Sequence, residues 1–384
     1  MSDNVTQMFP RPERKRSVHL AILIAVFVLV IGTVIALLCY ESGHFDSLRR
    51  FFTYLGSDGE DYFTYEMHSG SIYADLNRDL AVASSGELTM LTSGGSQVAR
   101  AQVSLTTPAL QVGRKVAMAY DVGGTTLAAI SEKQGTVLNE SVEGTILDAD
   151  ISNGDRICVA SYTSSYKTVL TAYNADYQAY YRWYSSSAFL PNCAISKDGS
   201  WMAAVDLGQQ AHTFDSTLYF FNTESEEDPT SVSLGDLLVL DMDITKRNQI
   251  VLVGDSRAQV CNRSGEEIAR YEYGSSYLEN FDFGGNDFLT LAMNMYMAGN
   301  NYSLVTVPLS GGEAHTVYLG EEILSLSAKG DYIAVLTMGG LTIYRSDLTE
   351  YAKTEEIASV SDVVMRDDGS ALLIGSNSAR LFIP

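Results

Sequence analysis

The residues of this 384-residue chain best suited to chemistry are its closely spaced aspartates. Asp148-Ala149-Asp150-Ile151-Ser152-Asn153-Gly154-Asp155 resembles a calcium loop, because clustered carboxylate oxygens are what a hard cation binds. An EF-hand loop needs Gly at its sixth position and a bidentate Glu at its twelfth. Here those positions are Asn153 and Val159. The same element recurs as Asp241-Met242-Asp243 and Phe281-Asp282-Phe283, which reads as the first strand and turn of a repeat. The structural role is the expected one and no cofactor is expected; if those strands face a common axis, Asp150, Asp243 and Asp282 form a carboxylate ring that could hold a cation, with calcium as the candidate.

Aromatic side chains are the second candidate. Residues 173–184 read YNADYQAYYRWY, and Tyr177, Tyr180, Tyr181, Trp183 and Tyr184 make a binding patch if they share one surface. Aromatic platforms stack on sugars and peptides, and Tyr and Trp are frequent binding anchors. Tyr162 and Tyr166 are close by in sequence. The competing reading is an alternating outer strand with one aromatic set wedged against its neighbour.

Catalytic constellations are sparse. The histidines beyond residue 40 are His44, His68, His212 and His315, none at metal-ligand spacing, and neither H-E-x-x-H nor G-x-S-x-G occurs. Gly94-Gly95-Ser96 and Gly311-Gly312 sit at hairpin turns, where they cannot cradle phosphate at a helix start. Cys39 falls in an apolar run, and Cys158, Cys193 and Cys261 fall in or beside strand-like runs without any C-x-x-C, so each reads as a small buried hydrophobe. No residue is assigned a catalytic role.

The elements that must position these groups begin with Val18–Tyr40, 23 residues without Asp, Glu, Lys or Arg. At about 1.5 Å per residue this helix reaches roughly 34 Å, enough to cross a bilayer. RPERKR precedes it, and basic flanks of a first span stay in the cytoplasm. A cleaved signal peptide is the alternative, but Ala36-Leu37-Leu38-Cys39 lacks the small-residue pattern of a cleavage site. The expected layout is a cytoplasmic tail (1–17), a transmembrane helix (18–40), a stalk (41–60) and an extracytoplasmic domain (61–384). Residues 1–40 carry a net +2, so the remainder carries −24 of the chain's −22. That sign argues against nucleic acid or anionic lipid as a partner.

A repeat organises the domain. A polar turn followed by a very apolar strand reads LNRDLAVAS, VGRKVAMAY, SNGDRICVA, SKDGSWMAAV, TKRNQIVLV, GGNDFLTLAM, AKGDYIAVL and RDDGSALLI, with unit spacings of 36 to 48 residues. An amphipathic strand and a more polar strand follow in each unit, and four antiparallel strands per period of about 40 residues is the signature of a β-propeller blade. The fold class is therefore all-β, an eight-bladed propeller with seven blades as the alternative. The last unit stops at its third strand, Ala379–Pro384, while a spare strand, Asp61–Met67, precedes the first. Adding the spare strand to the last sheet closes the ring and leaves no edge open.

The turn Ser196-Lys197-Asp198-Gly199-Ser200 resembles the S-x-D-G turns of bacterial WD-repeat-like propellers, and Arg366-Asp367-Asp368-Gly369-Ser370 is similar with Arg in the first place. The Trp-Asp dipeptide of true WD repeats is missing, since Trp183 and Trp201 are followed by Tyr and Met. The whole layout resembles a family of Gram-positive bacterial membrane proteins of unknown function, with a basic tail, one span and an outward-facing propeller. The expected role is a non-catalytic binding or scaffold module of the cell envelope. Its expected partner is an envelope or membrane protein, with a cell-wall glycan or peptide as the other option. The alternative is an extracytoplasmic hydrolase or lactonase with a metal in the central channel.

Overall fold

The computed structural model describes residues 23–24, 26–33, 62–64, 70–210, 213–296, 299 and 301–384. The chain divides into two compact units, 1–57 and 58–384. In the first unit the described residues are helical, and Leu23, Phe27 and Leu29 are each more than half exposed. No helix among the described residues is long and apolar enough to cross a membrane. The remainder of the expected span, the basic tail and the stalk lie outside the described residues.

The second unit is a ring of eight four-stranded antiparallel sheets, β1 to β32 in chain order. Blades 1 to 7 each take four consecutive strands, and their first strands run innermost. Those first strands are β2 (Ile72–Leu76), β6 (Pro108–Val112), β10 (Thr145–Ile151), β14 (Asn192–Ile195), β18 (Val239–Ile244), β22 (Tyr277–Asp282) and β26 (Ser325–Lys329). Blade 8 is built from β30 (Val360–Met365), β31 (Ala371–Gly375), β32 (Ser378–Phe382) and, from the other end of the chain, β1 (Tyr62–Thr64). The blade count is eight, and the closure is the expected one. Phe63 pairs with Ala379 in the β1–β32 ladder and is buried among Leu80, Leu91, Leu372 and Ala379.

Strand sequence explains strand position. The second strands, such as VAMAYD in blade 2 and IVLVG in blade 5, are buried along their whole length because blades pack on both their faces. Fourth strands alternate, as in QVARAQ of blade 1, because only one face meets a neighbour. Third strands differ from the sequence expectation. Their alternating pattern suggests one solvated face, yet Thr89 and Thr171 are buried with the rest. A third strand lies inside its sheet and between two blades, so burial overrides its polarity.

Most neighbouring first strands touch, including β30 against β2 at the seam. The turn sequence departs from its repeat at this seam. Arg366 stands where Ser196 begins the equivalent turn, and its guanidinium is fully buried. Its Nη2 donates to the Arg78 carbonyl at 2.6 Å, and its Nε lies 3.6 Å from Asp75 Oδ1. Lys329 Nζ, from blade 7, donates to the Asp75 carbonyl at 3.1 Å and sits 3.7 Å from Asp75 Oδ2. One carboxylate of blade 1 thus gathers cations from blades 7 and 8.

Two predictions follow from ring closure. Deleting residues 58–68 opens the ring and lowers its melting temperature sharply, whereas an unchanged melting curve contradicts the β1–β32 closure. Phe63→Ala costs about 3–5 kcal/mol of stability by denaturant titration.

Candidate functional site

A first strand has a sheet partner on only one side, so amides on its inner edge need other acceptors. Side chains of adjoining blades supply them. Asp148 Oδ2 accepts from Cys193 N at 2.9 Å and Asp150 Oδ2 from Ile195 N at 3.0 Å, tying blade 3 to blade 4. Asp282 Oδ2 accepts from Ala328 N at 2.9 Å, tying blade 6 to blade 7. Ser325 and Ser327 hydroxyls accept from Val363 N at 3.2 Å and Met365 N at 3.0 Å, tying blade 7 to blade 8. Asn192 Nδ2 donates to the Leu240 carbonyl at 3.1 Å, tying blade 4 to blade 5. A bulge precedes Asp148, Asp241, Asn280 and Asp362 in their strands and re-aims each side chain.

The predicted carboxylate ring is therefore not one set. Burial, followed by the charge of Asp243, raises Asp150 well above the ordinary carboxylate range. Burial also pushes Asp243 up to about 6. Asp241 is pushed up to about 7, first by burial and then by Asp148. Asp282 stands apart from them, holding Ala328 N and, at 2.6 Å, Gly284 N. Among the described residues no three His, Cys, Asp or Glu side chains converge as a metal-ligand set.

The predicted aromatic patch also separates. Tyr181 and Trp183 pack into the core between blades 3 and 4, where Trp183 meets Phe221 edge-on at 5.0 Å. Tyr177 takes a positive φ of 58° and packs against the core between blades 2 and 3. Tyr180 falls at a bulge in the ladder between β12 (Thr168–Tyr173) and β13 (Ala179–Ser185), and its hydroxyl donates to the Gly199 carbonyl of blade 4. It lines a polar cleft of about 260 Å³ with Arg156, Asp176, Asp198 and Glu224. Tyr180 and Tyr184 are the exposed members of the run, and the Tyr184 ring lies 5.0 Å from that of Tyr166. The wedge reading holds for Tyr181 and Trp183. The exposed aromatic surface includes Tyr162 and Tyr166 instead.

Thiols offer no nucleophile. Cys158, Cys193 and Cys261 are buried, and Cys158 Sγ lies 3.5 Å from Cys193 Sγ across the blade 3–4 boundary. Burial raises the Cys158 thiol, while hydrogen bonding with Cys158 and then burial hold Cys193 well above the usual thiol range. Both stay protonated at neutral pH and are poor nucleophiles. His315 is exposed on β25 (His315–Leu319), and the other four histidines lie outside the described residues.

The profile of a family of unknown function, DUF5711, matches residues 53–379. The chain belongs to this family. That match spans all eight blades and begins in the segment that leads into β1. Among solved structures, BamB from Moraxella catarrhalis is similar over 83% of this chain and 99% of its own, at 12% identity and a TM-score of 0.52. The RRP9 WD40 repeats are similar over 79% of this chain and 99% of their own, at 9% identity and a TM-score of 0.48. The Neurospora crassa Pan2 WD40 domain is similar over 72% and 88%, at 9% identity and a TM-score of 0.46. At such identities the likeness to BamB shows a shared propeller fold. No curated protein matches the chain.

Raised carboxylates make this DUF5711 ring pH-sensitive in a defined direction. Asp241 and Asp243 bind protons more tightly folded than unfolded. Their contribution to stability is therefore full below the unfolded pKa of about 4 and is lost as pH rises to about 7. The melting temperature should fall between pH 5 and pH 7.5, and Asp241→Asn with Asp243→Asn should flatten that slope. A slope unchanged in the double variant contradicts the burial of these two groups.

Proposed function

We propose that this DUF5711 protein is a non-catalytic binding or scaffold module, anchored in the cell membrane by residues 18–40 with its propeller outside the cell. One observation carries the non-catalytic reading: the groups equipped for chemistry are committed to the ring. Asp148, Asp150 and Asp282 hold neighbouring backbone amides, and the Cys158 and Cys193 thiols are buried against each other. A rigid disc with turn-rich faces is suited to recognition, and a tether raises its local concentration near membrane partners. The anchor rests on the apolar run, the exposed apolar side chains of its helical residues and the basic flank, which favours a cytoplasmic N-terminus. The family resemblance favours a Gram-positive envelope, and the partner class is an envelope or membrane protein. The hydrolase alternative would need converging ligands at the channel, where Asp282 already holds two amides.

Impermeant-maleimide labelling of intact cells tests the topology. Ser164→Cys, in an exposed turn of blade 3, should be labelled, and Ser17→Cys only after lysis. The reverse pattern refutes an external propeller. In-cell lysine crosslinking of the full chain should recover a recurrent protein partner; its consistent absence refutes the scaffold role.

A further inference from the structure

The two faces of the disc are chemically unlike. Every first-to-second and third-to-fourth turn lies on one face. The N-terminal end of β1 and the C-terminal end of β32 also lie there, because β1 runs antiparallel to β32. This proximal face therefore carries both ends of the ring. Its turns spread cations around the disc, including Arg78, Arg114, Lys115, Arg156, Lys246 and Arg247, among carboxylates. The opposite, distal face holds the second-to-third turns and the connections between blades. Among described residues its connections carry carboxylates such as Glu143, Asp255, Glu321, Glu322 and Glu355, and one cation, Lys167.

Exposed apolar surface follows the same division. Of the large apolar and aromatic side chains exposed on the propeller, all but Tyr180 and Ile383 project from distal connections or the distal ends of strands. They are densest on blades 6 and 7: Tyr277, Met295, Tyr296, Leu324 and Met338, the last 76% exposed. Tight turns ordinarily take Gly, Asn, Asp or Ser. A Met or Tyr at these positions gains nothing for the turn and costs exposed apolar area.

Hydrogen bonds hold this patch in place. Glu321 Oε2 accepts from Gly339 N at 2.8 Å, and Leu324 N donates to the Leu336 carbonyl at 2.8 Å, fixing the blade 6–7 connection on the turn that carries Met338. Tyr277 pairs with Asn294, whose Oδ1 accepts from Tyr296 N at 3.3 Å. Glu279 Oε1 accepts from Asn294 Nδ2 at 3.4 Å, and Glu322 is exposed beside Glu321 in the same connection, so carboxylates flank the apolar side chains.

We propose that the distal face of blades 6 and 7 is the docking surface for a polypeptide segment that presents lysine or arginine among apolar residues. The negative rim repels nucleic acid and anionic lipid and complements a basic segment. Methionine and leucine beside tyrosine suit a protein contact, since they adapt to side-chain knobs and offer no flat sugar platform. This inference rests on the scaffold reading and specifies which surface serves it.

Site-specific photocrosslinking in cells, with the full-length chain, tests it. The crosslinking residue is placed at Tyr277 or Met338 on the distal face and at Lys133 or Lys246 on the proximal face. The expected result is a protein adduct from the distal positions, joined through a peptide rich in Lys or Arg and apolar residues. That adduct should fall at least about fivefold with Glu322→Lys, and with Met338→Ser when the probe is at Tyr277, at unchanged melting temperature. An adduct from the proximal positions alone overturns this inference and leaves the scaffold reading standing. No adduct from either face overturns both. An adduct with a second copy of this chain, an acidic linked peptide, or indifference to Glu322→Lys also overturns it.

Discussion

The structure depends on how the inner edges of its first strands are satisfied. A propeller blade is a small sheet, and its inner edge carries amides that no neighbouring strand serves. This chain answers with side chains lent between blades: Asp150 to Ile195 N, Asp282 to Ala328 N, Ser325 to Val363 N. Each bond fixes the angle between two blades as well as satisfying a donor. Eight blades close into one ring, and β1 meets β32 in register.

The same requirement accounts for much of the acidity. Outside the first strands, Asp121 Oδ1 accepts from Thr106 N and Thr107 N at 2.7 Å, and Asp206 Oδ1 from Phe189 N at 2.9 Å, so connections between blades are also held by carboxylates. Asp155 Oδ1 does this for Arg114 N and Lys115 N at 2.7 and 2.8 Å. A carboxylate that accepts backbone amides forms stronger hydrogen bonds than a neutral acceptor. Glycine has the complementary task. A Cβ on Gly154 would come within 1.7 Å of the Lys197 carbonyl, and one on Gly284 within 2.0 Å of the Ala328 carbonyl. Only a residue without a side chain lets adjoining blades approach so closely.

How much of this was legible in the sequence depends on whether the signal was periodic. Apolar second strands and Asn/Asp/Gly turns recur every 36 to 48 residues, so the blades, their number and the strand exchange at closure could be read directly. The destinations of individual side chains could not. Asp150, Asp243 and Asp282 occupy equivalent places in the repeat, and Asp150 and Asp282 each hold an amide of the next blade, yet Asp282 also holds the Gly284 amide of its own turn while the charge of Asp243 acts on Asp150. The aromatic run misled for a related reason. A bulge at the start of β13 turns Tyr180 toward blade 4, and periodicity alone does not place bulges.

Arg366 shows how a departure from a repeat carries information that the repeat lacks. In an open array, a turn residue sees the same neighbour in every unit. At the seam, blade 8 meets blade 1, whose chain neighbour is the N-terminal segment, so the equivalent residue faces a different surface. A serine there could satisfy its own turn, as Ser196 does by bonding Asp198 Oδ1 at 2.9 Å. Arginine reaches farther, to the Arg78 carbonyl and the Asp75 carboxylate, and joins the ends of the ring through a buried charge. Buried ion pairs add little stability over apolar packing, but breaking one is costly, so they penalise wrong arrangements. Arg366 thereby ties blade 8 to blade 1 at the seam, where the turn departs from the repeat.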